Sequence, residues 1–183
     1  MIRRFIPKFG PGAEEALVRA AAAKRTIHGI EVWVLNDGKY ATDQALFEKI
    51  ADALDLIHQH QPWRLRAMRG DFRRIFVRRN EGCRAMFDGD CILDDFFVAT
   101  FRAAQVASSI VHEGVHARFR RGGRVPPRDL IAWEERQCRK AELAFGLKAG
   151  DDAVVERARA SLSLSDAEVA PLADPATLRP RRR

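Results

Sequence analysis

Ala107-Ser108-Ser109-Ile110-Val111-His112-Glu113-Gly114-Val115-His116-Ala117-Arg118-Phe119-Arg120-Arg121 is the stretch on which the reading of this chain turns. Its first five residues are small or apolar, as in a buried helix, and its end returns to charge. Residues four apart share one face of a helix, so His112 and His116 can reach the same ion. Glu113, beside the first histidine, stands where it can accept a proton from metal-bound water. With five histidines in the chain, an H-E-x-x-H pattern arises by chance only ~0.008 times at this composition. Two incidental histidines and a glutamate on a buried helix would need other polar partners.

A hydrolytic zinc site takes three protein ligands and leaves a fourth position for water. The continuation H-x-x-G-x-x-H fails, because Phe119 and Gly122 occupy its last two specified positions. The other solution is a glutamate from the next helix, and Glu134, Glu135 and Glu142 are available. At about 100° per residue, Ile131, Cys138, Ala141 and Phe145 form one apolar stripe. Glu134 falls inside that stripe, where a carboxylate needs a partner or a metal. The expected metal ligands are therefore His112, His116 and Glu134, with Glu135 as the alternative. Glu135 and Glu142 lie toward the edge of the stripe and otherwise read as a solvated face.

These residues resemble the gluzincin branch of the zincin-type zinc metallopeptidases: H-E-x-x-H on one helix and a glutamate some 18 residues beyond the second histidine. The resemblance spans about Arg73 to Phe145. It implies a zincin-like domain, bound Zn2+, a peptide or protein substrate, and hydrolysis with Glu113 as general base. It also implies a sheet whose edge strand receives extended substrate. Such proteins often place an Asp one turn after the ligand glutamate to buttress a zinc histidine. Here Cys138 follows Glu134 at that spacing and Arg139 follows Glu135.

Outward from the motif, the chain reads as α+β in a single domain over 1–169, followed by a Pro/Arg-rich tail over 170–183. Glu14 to Arg25 reads as a helix, Thr26 to Leu35 as a strand, and Asn36-Asp37-Gly38 as a turn. Thr42 caps a helix through His60. Phe72–Arg78, Cys83–Phe87 and Cys91–Leu93 read as a small antiparallel meander. Asp94 or Asp95 opens a helix through about Val98–Arg120. Helices from about Arg128 to Phe145, closed near Gly146 or Gly150, and from Asp151-Asp152 to about Leu162 follow. Tyr40, His58 and His60 receive no catalytic role, and Trp63 and Trp133 read as packing residues.

The 183 residues carry a net charge of +7. That leaves room for an acidic partner such as nucleic acid, but no nucleic-acid motif accompanies the charge. A zincin-like regulatory or partner-binding protein with a structural zinc is the alternative function. A site closed by a fourth ligand such as Cys138 would favour it, while Glu113 favours the hydrolase. Three cysteines without a C-x-x-C pair suit a reducing compartment, with Cys83–Cys91 open as a bridge or as two thiols. The basic start lacks the apolar run of a signal peptide, so the expected location is cytoplasmic.

Overall fold

The computed structural model describes residues 20–79, 84–85, 89–121, 127 and 130–169. It is a mixed α+β structure. β1 (Ala23–Ile27) and β2 (Ile30–Leu35) form an antiparallel hairpin. Its turn is His28-Gly29, with φ of 50° and 77°, the positive-φ backbone that a two-residue hairpin loop requires. This corrects two expectations. Residues Ala23, Lys24 and Arg25 extend and pair with Val34, Trp33 and Val32 instead of ending a helix. The run from Thr26 to Leu35 is folded back on itself at His-Gly, not one strand. The earlier part of the expected helix lies outside the described residues.

α1 (Asp43–His60) begins where Thr42 Oγ1 accepts a hydrogen bond from the Ala45 N–H at 3.2 Å. α2 (Pro62–Asp71) was not foreseen. Proline suits a first helical turn, but only Leu65 and Met68 are buried, too few to mark a period.

The remaining strands are β3 (Arg74–Arg78), β4 (Arg84–Ala85) and β5 (Asp90–Asp94). The sheet order is β1-β2-β3-β5-β4. β2–β3 and β3–β5 pair parallel, and β4–β5 pair antiparallel. The expected antiparallel meander is thus corrected: β5 inserts between β3 and β4. The cause is burial on both faces. Arg74 to Val77 and Asp90 to Leu93 are buried without alternation, as interior parallel strands are.

Register aligns Val32 with Ile75 and Cys91, and Val34 with Val77 and Leu93. These rows join Leu46, Ile50 and Leu54 of α1 in the main core. On the other face, the Arg74 guanidinium covers the Trp33 ring at 4.0 Å and pairs with buried Asp90 at 2.6 Å. Cys91 is buried, and Cys83 lies outside the described residues.

α3 (Asp95–Thr100) and α4 (Ala103–Phe119) replace the single helix expected through Arg120. Phe101 and Arg102 are extended between them, with ψ of 156° and 152°. α5 is Ile131–Ala149. It stops at Gly150, whose φ of 66° is left-handed. Asp151 caps α6 (Asp152–Leu162) by accepting from the Val154 N–H, and α7 (Asp166–Val169) follows. Gly122-Gly123 and the tail from 170 lie outside the described residues. No helix among them is long and apolar enough to cross a membrane.

α4 packs against α1, α2 and α5, and the edge strand β4 also touches it. Gly114 permits the α2 approach: a Cβ there would meet Met68 Cε at 2.8 Å.

Candidate metal centre

α4 and α5 build the site between them. The i, i+4 spacing brings the His112 and His116 rings together edge to face, with centroids 4.9 Å apart. Both histidines are buried, and their Nε2 atoms lie 3.1 Å from each other. Glu135 faces the same two atoms. Its Oε1 is 3.0 Å from His116 Nε2 and its Oε2 is 3.4 Å from His112 Nε2.

The opposite nitrogens are engaged as well. His112 Nδ1 contacts Glu142 Oε1 at 2.5 Å, and His116 Nδ1 contacts Glu134 Oε1. Nδ1–H donation to a carboxylate fixes the tautomer that leaves the Nε2 lone pair free for a metal.

Glu134 therefore does not stand where the sequence reading put it. It is buried, as its place in the stripe requires, but it lies behind His116 and pairs also with Arg120 at 3.2 Å. Glu135, about 100° further round α5, opens on the Nε2 side and is 21% exposed. Glu134 is buried as its phase predicts, but burial is satisfied by an imidazole N–H and an arginine as well as by a metal, and Glu142 is buried just as deeply. Glu142 also departs from the solvated face expected of it. It is buried among His112, Arg139 at 2.7 Å, Arg157 at 3.1 Å and Ser108 at 3.4 Å.

Charge in the site is strongly coupled. Burial opposes protonation of His112, but Glu135 and Glu142 outweigh it and raise the ring to about 9. His116 rises to about 9 for the same reasons, with Glu134 and Glu135 as its partners. Burial works against ionised Glu135, yet the two imidazoles hold its carboxyl well below the ordinary range. Two protons thus sit where a divalent cation would balance the same charge.

Cys138 completes the cluster from the middle of α5. His112, His116 and Cys138 each offer a ligand atom, all within 4.8 Å of one another. This buried group could hold a metal ion. The Cys138 thiol is free, and burial pushes its pKa well up.

The carboxylate of Glu113 points to the same conclusion. Its Oε2 is buried and has no hydrogen-bond partner. Burial raises its pKa, against the pull of His112 and His116. An orphaned acceptor next to the two histidines fits a group that is to receive a proton.

His28 and His58 stack on each other at 5.4 Å, and His28 contacts Asp55 at 2.6 Å, in a group apart from α4 and α5. Tyr40 meets Phe96 edge to face. Neither enters the site. Comparison with protein-family models, curated proteins and solved structures finds no match to this chain.

Proposed function

We propose that this chain is a zinc-dependent hydrolase of the zincin type, acting on peptide bonds. His112, His116 and Glu135 hold the metal, Glu134 and Glu142 orient the two histidines, and Glu113 is the general base. The observation that carries this is the spacing of the three ligands. A tetrahedral ion with bonds of about 2.0–2.1 Å needs ligand atoms about 3.3 Å apart. His112 Nε2 and His116 Nε2 are 3.1 Å apart, and the Glu135 carboxylate spans them, with Oε1 3.0 Å from His116 Nε2 and Oε2 3.4 Å from His112 Nε2.

Zinc, when bound, makes water acidic near neutral pH and polarises the carbonyl of a scissile amide. Glu113 takes the proton from the attacking water and delivers it to the leaving amine. Its raised pKa, caused first by burial, suits a group that must both accept and return a proton. β4, the sheet edge beside α4, is the place for an extended substrate.

One observation favours the second reading, a structural zinc in a regulatory or nucleic-acid-binding protein: Cys138 lies within reach of both histidines. Four protein ligands would close the site.

Metal analysis of the purified chain supplied with zinc, coupled to a peptide-library cleavage assay, separates the two. The hydrolase reading expects one zinc per chain, cleavage, and at least ~100-fold slower cleavage by Glu113→Gln with zinc retained. A zinc-loaded chain that cleaves nothing, and whose cobalt form shows a thiolate charge-transfer band lost in Cys138→Ala, would establish the structural site instead.

A further inference from the structure

A cleft of about 280 Å³ opens on the other flank of α4, lined chiefly by Trp63, Arg64, Met68, Val115, Arg118 and Phe119. It adjoins the metal centre. Val115 lies between Glu113 and His116, and the Phe119 ring packs on Trp133, next to Glu134, at 5.3 Å between centroids. Trp63 and Phe119 are 46% and 38% exposed, so aromatic surface faces solvent at its mouth.

Among the described residues, neither guanidinium in this cleft has a carboxylate partner. Arg64 lies over the Trp63 ring at 4.6 Å, and its Nε donates to Gln61 Oε1 at 2.7 Å. That holds the plane of the group while leaving it without a carboxylate. Arg118 has no hydrogen bond or ion pair among the described residues. Asp71 also lines the cleft, but its carboxylate faces Arg121 at 3.5 Å. Burial and the repulsion of Arg118 together press the Arg64 guanidinium below its ordinary pKa, against a smaller opposing pull from Cys138. An anion held between the two arginines would relieve that repulsion.

We propose, building on the peptidase reading, that this cleft is a specificity pocket for a carboxylate-bearing residue of the substrate. Arg64 and Arg118 clamp the carboxylate, and Trp63 and Phe119 cover the apolar part. The carboxylate comes either from an acidic side chain or from the end of the peptide.

The test uses the full chain loaded with zinc and carrying Glu113→Gln, so that ligand is not consumed. Acetylated dipeptides ending in free phenylalanine, in phenylalanine amide, in glutamate amide and in glutamine amide are titrated by nuclear magnetic resonance. In one of the two pairs the acid should bind ~10-fold or more tightly than its amide, because it gains a charge-assisted hydrogen bond. A preference for free phenylalanine assigns the terminus, and one for glutamate amide assigns the side chain. Arg118→Gln, an exposed change, should abolish the acid preference, and Arg64→Gln should do the same with zinc content unchanged. Equal binding of acid and amide in both pairs, or a preference surviving both substitutions, overturns the pocket. So does an oligothymidylate that binds through these arginines when no peptide does. Because binding is read without turnover, an unsubstituted chain that cleaves no peptide would sink the hydrolase reading and leave this result distinct.

Discussion

At the scale of the residue, the site separates two jobs that carboxylates do around an imidazole. Glu134 and Glu142 sit on Nδ1 atoms, where a carboxylate orients the ring. Glu135 sits on both Nε2 atoms, where a metal would bind. Glu135→Ala should therefore abolish tight zinc binding, because it removes a ligand. Glu134→Ala should weaken it by ~10–100-fold, as loss of an orienting partner does. Competition with a chelator of known affinity measures both. A Glu134→Ala protein that loses zinc while Glu135→Ala keeps it would return the ligand role to Glu134. The pair His112 and His116 was legible from sequence because a four-residue spacing survives any reasonable helix. The choice between adjacent glutamates was not, because it depends on how α5 is rotated against α4.

At the scale of the element, the centre is a contact between three helices. Arg157 of α6 reaches across to Glu142 at 3.1 Å, and Glu142 in turn holds His112. Removing Arg157 leaves a buried carboxylate with fewer partners, which costs stability and loosens His112. Arg157→Ala should lower zinc affinity ~10-fold without touching a ligand. The same change should leave the Arg118 cleft unaffected, so acid preference there is the internal control. Zinc affinity equal to that of the unsubstituted chain would remove α6 from the support of the site. Helices α1 and α6 were readable from caps at Thr42 and Asp151. The β1–β2 turn and α2 were not, because His28-Gly29 interrupts an apolar run and α2 buries only two side chains.

For the whole molecule, the buried histidine pair joins the stability of the fold to pH. His112 and His116 are raised from 6.5 to about 9 by their carboxylates. A folded pKa above the unfolded one means stability that is full below about 6.5 and lost as pH rises through about 9. The metal-free chain should therefore melt at progressively lower temperature across that window. Zinc should act in the opposite sense, binding more tightly as those protons leave. At a free concentration of 100 times its dissociation constant it adds ~2.7 kcal/mol. Melting temperatures measured with chelator and with zinc at several pH values would show the two curves diverging, and parallel curves would disconnect the histidines from the metal. The sequence by itself determined the α+β class, the histidine pair on one buried helix face, Glu113 beside it, and a carboxylate-bearing helix to follow. Those are local properties, fixed by spacing, capping and burial within one element. Tertiary structure alone decided the parallel insertion of β5, the exchange of Glu134 for Glu135 on the Nε2 side, and the burial of Glu142 between two arginines. Each depends on the relative placement of elements distant in the chain, which a local period cannot encode.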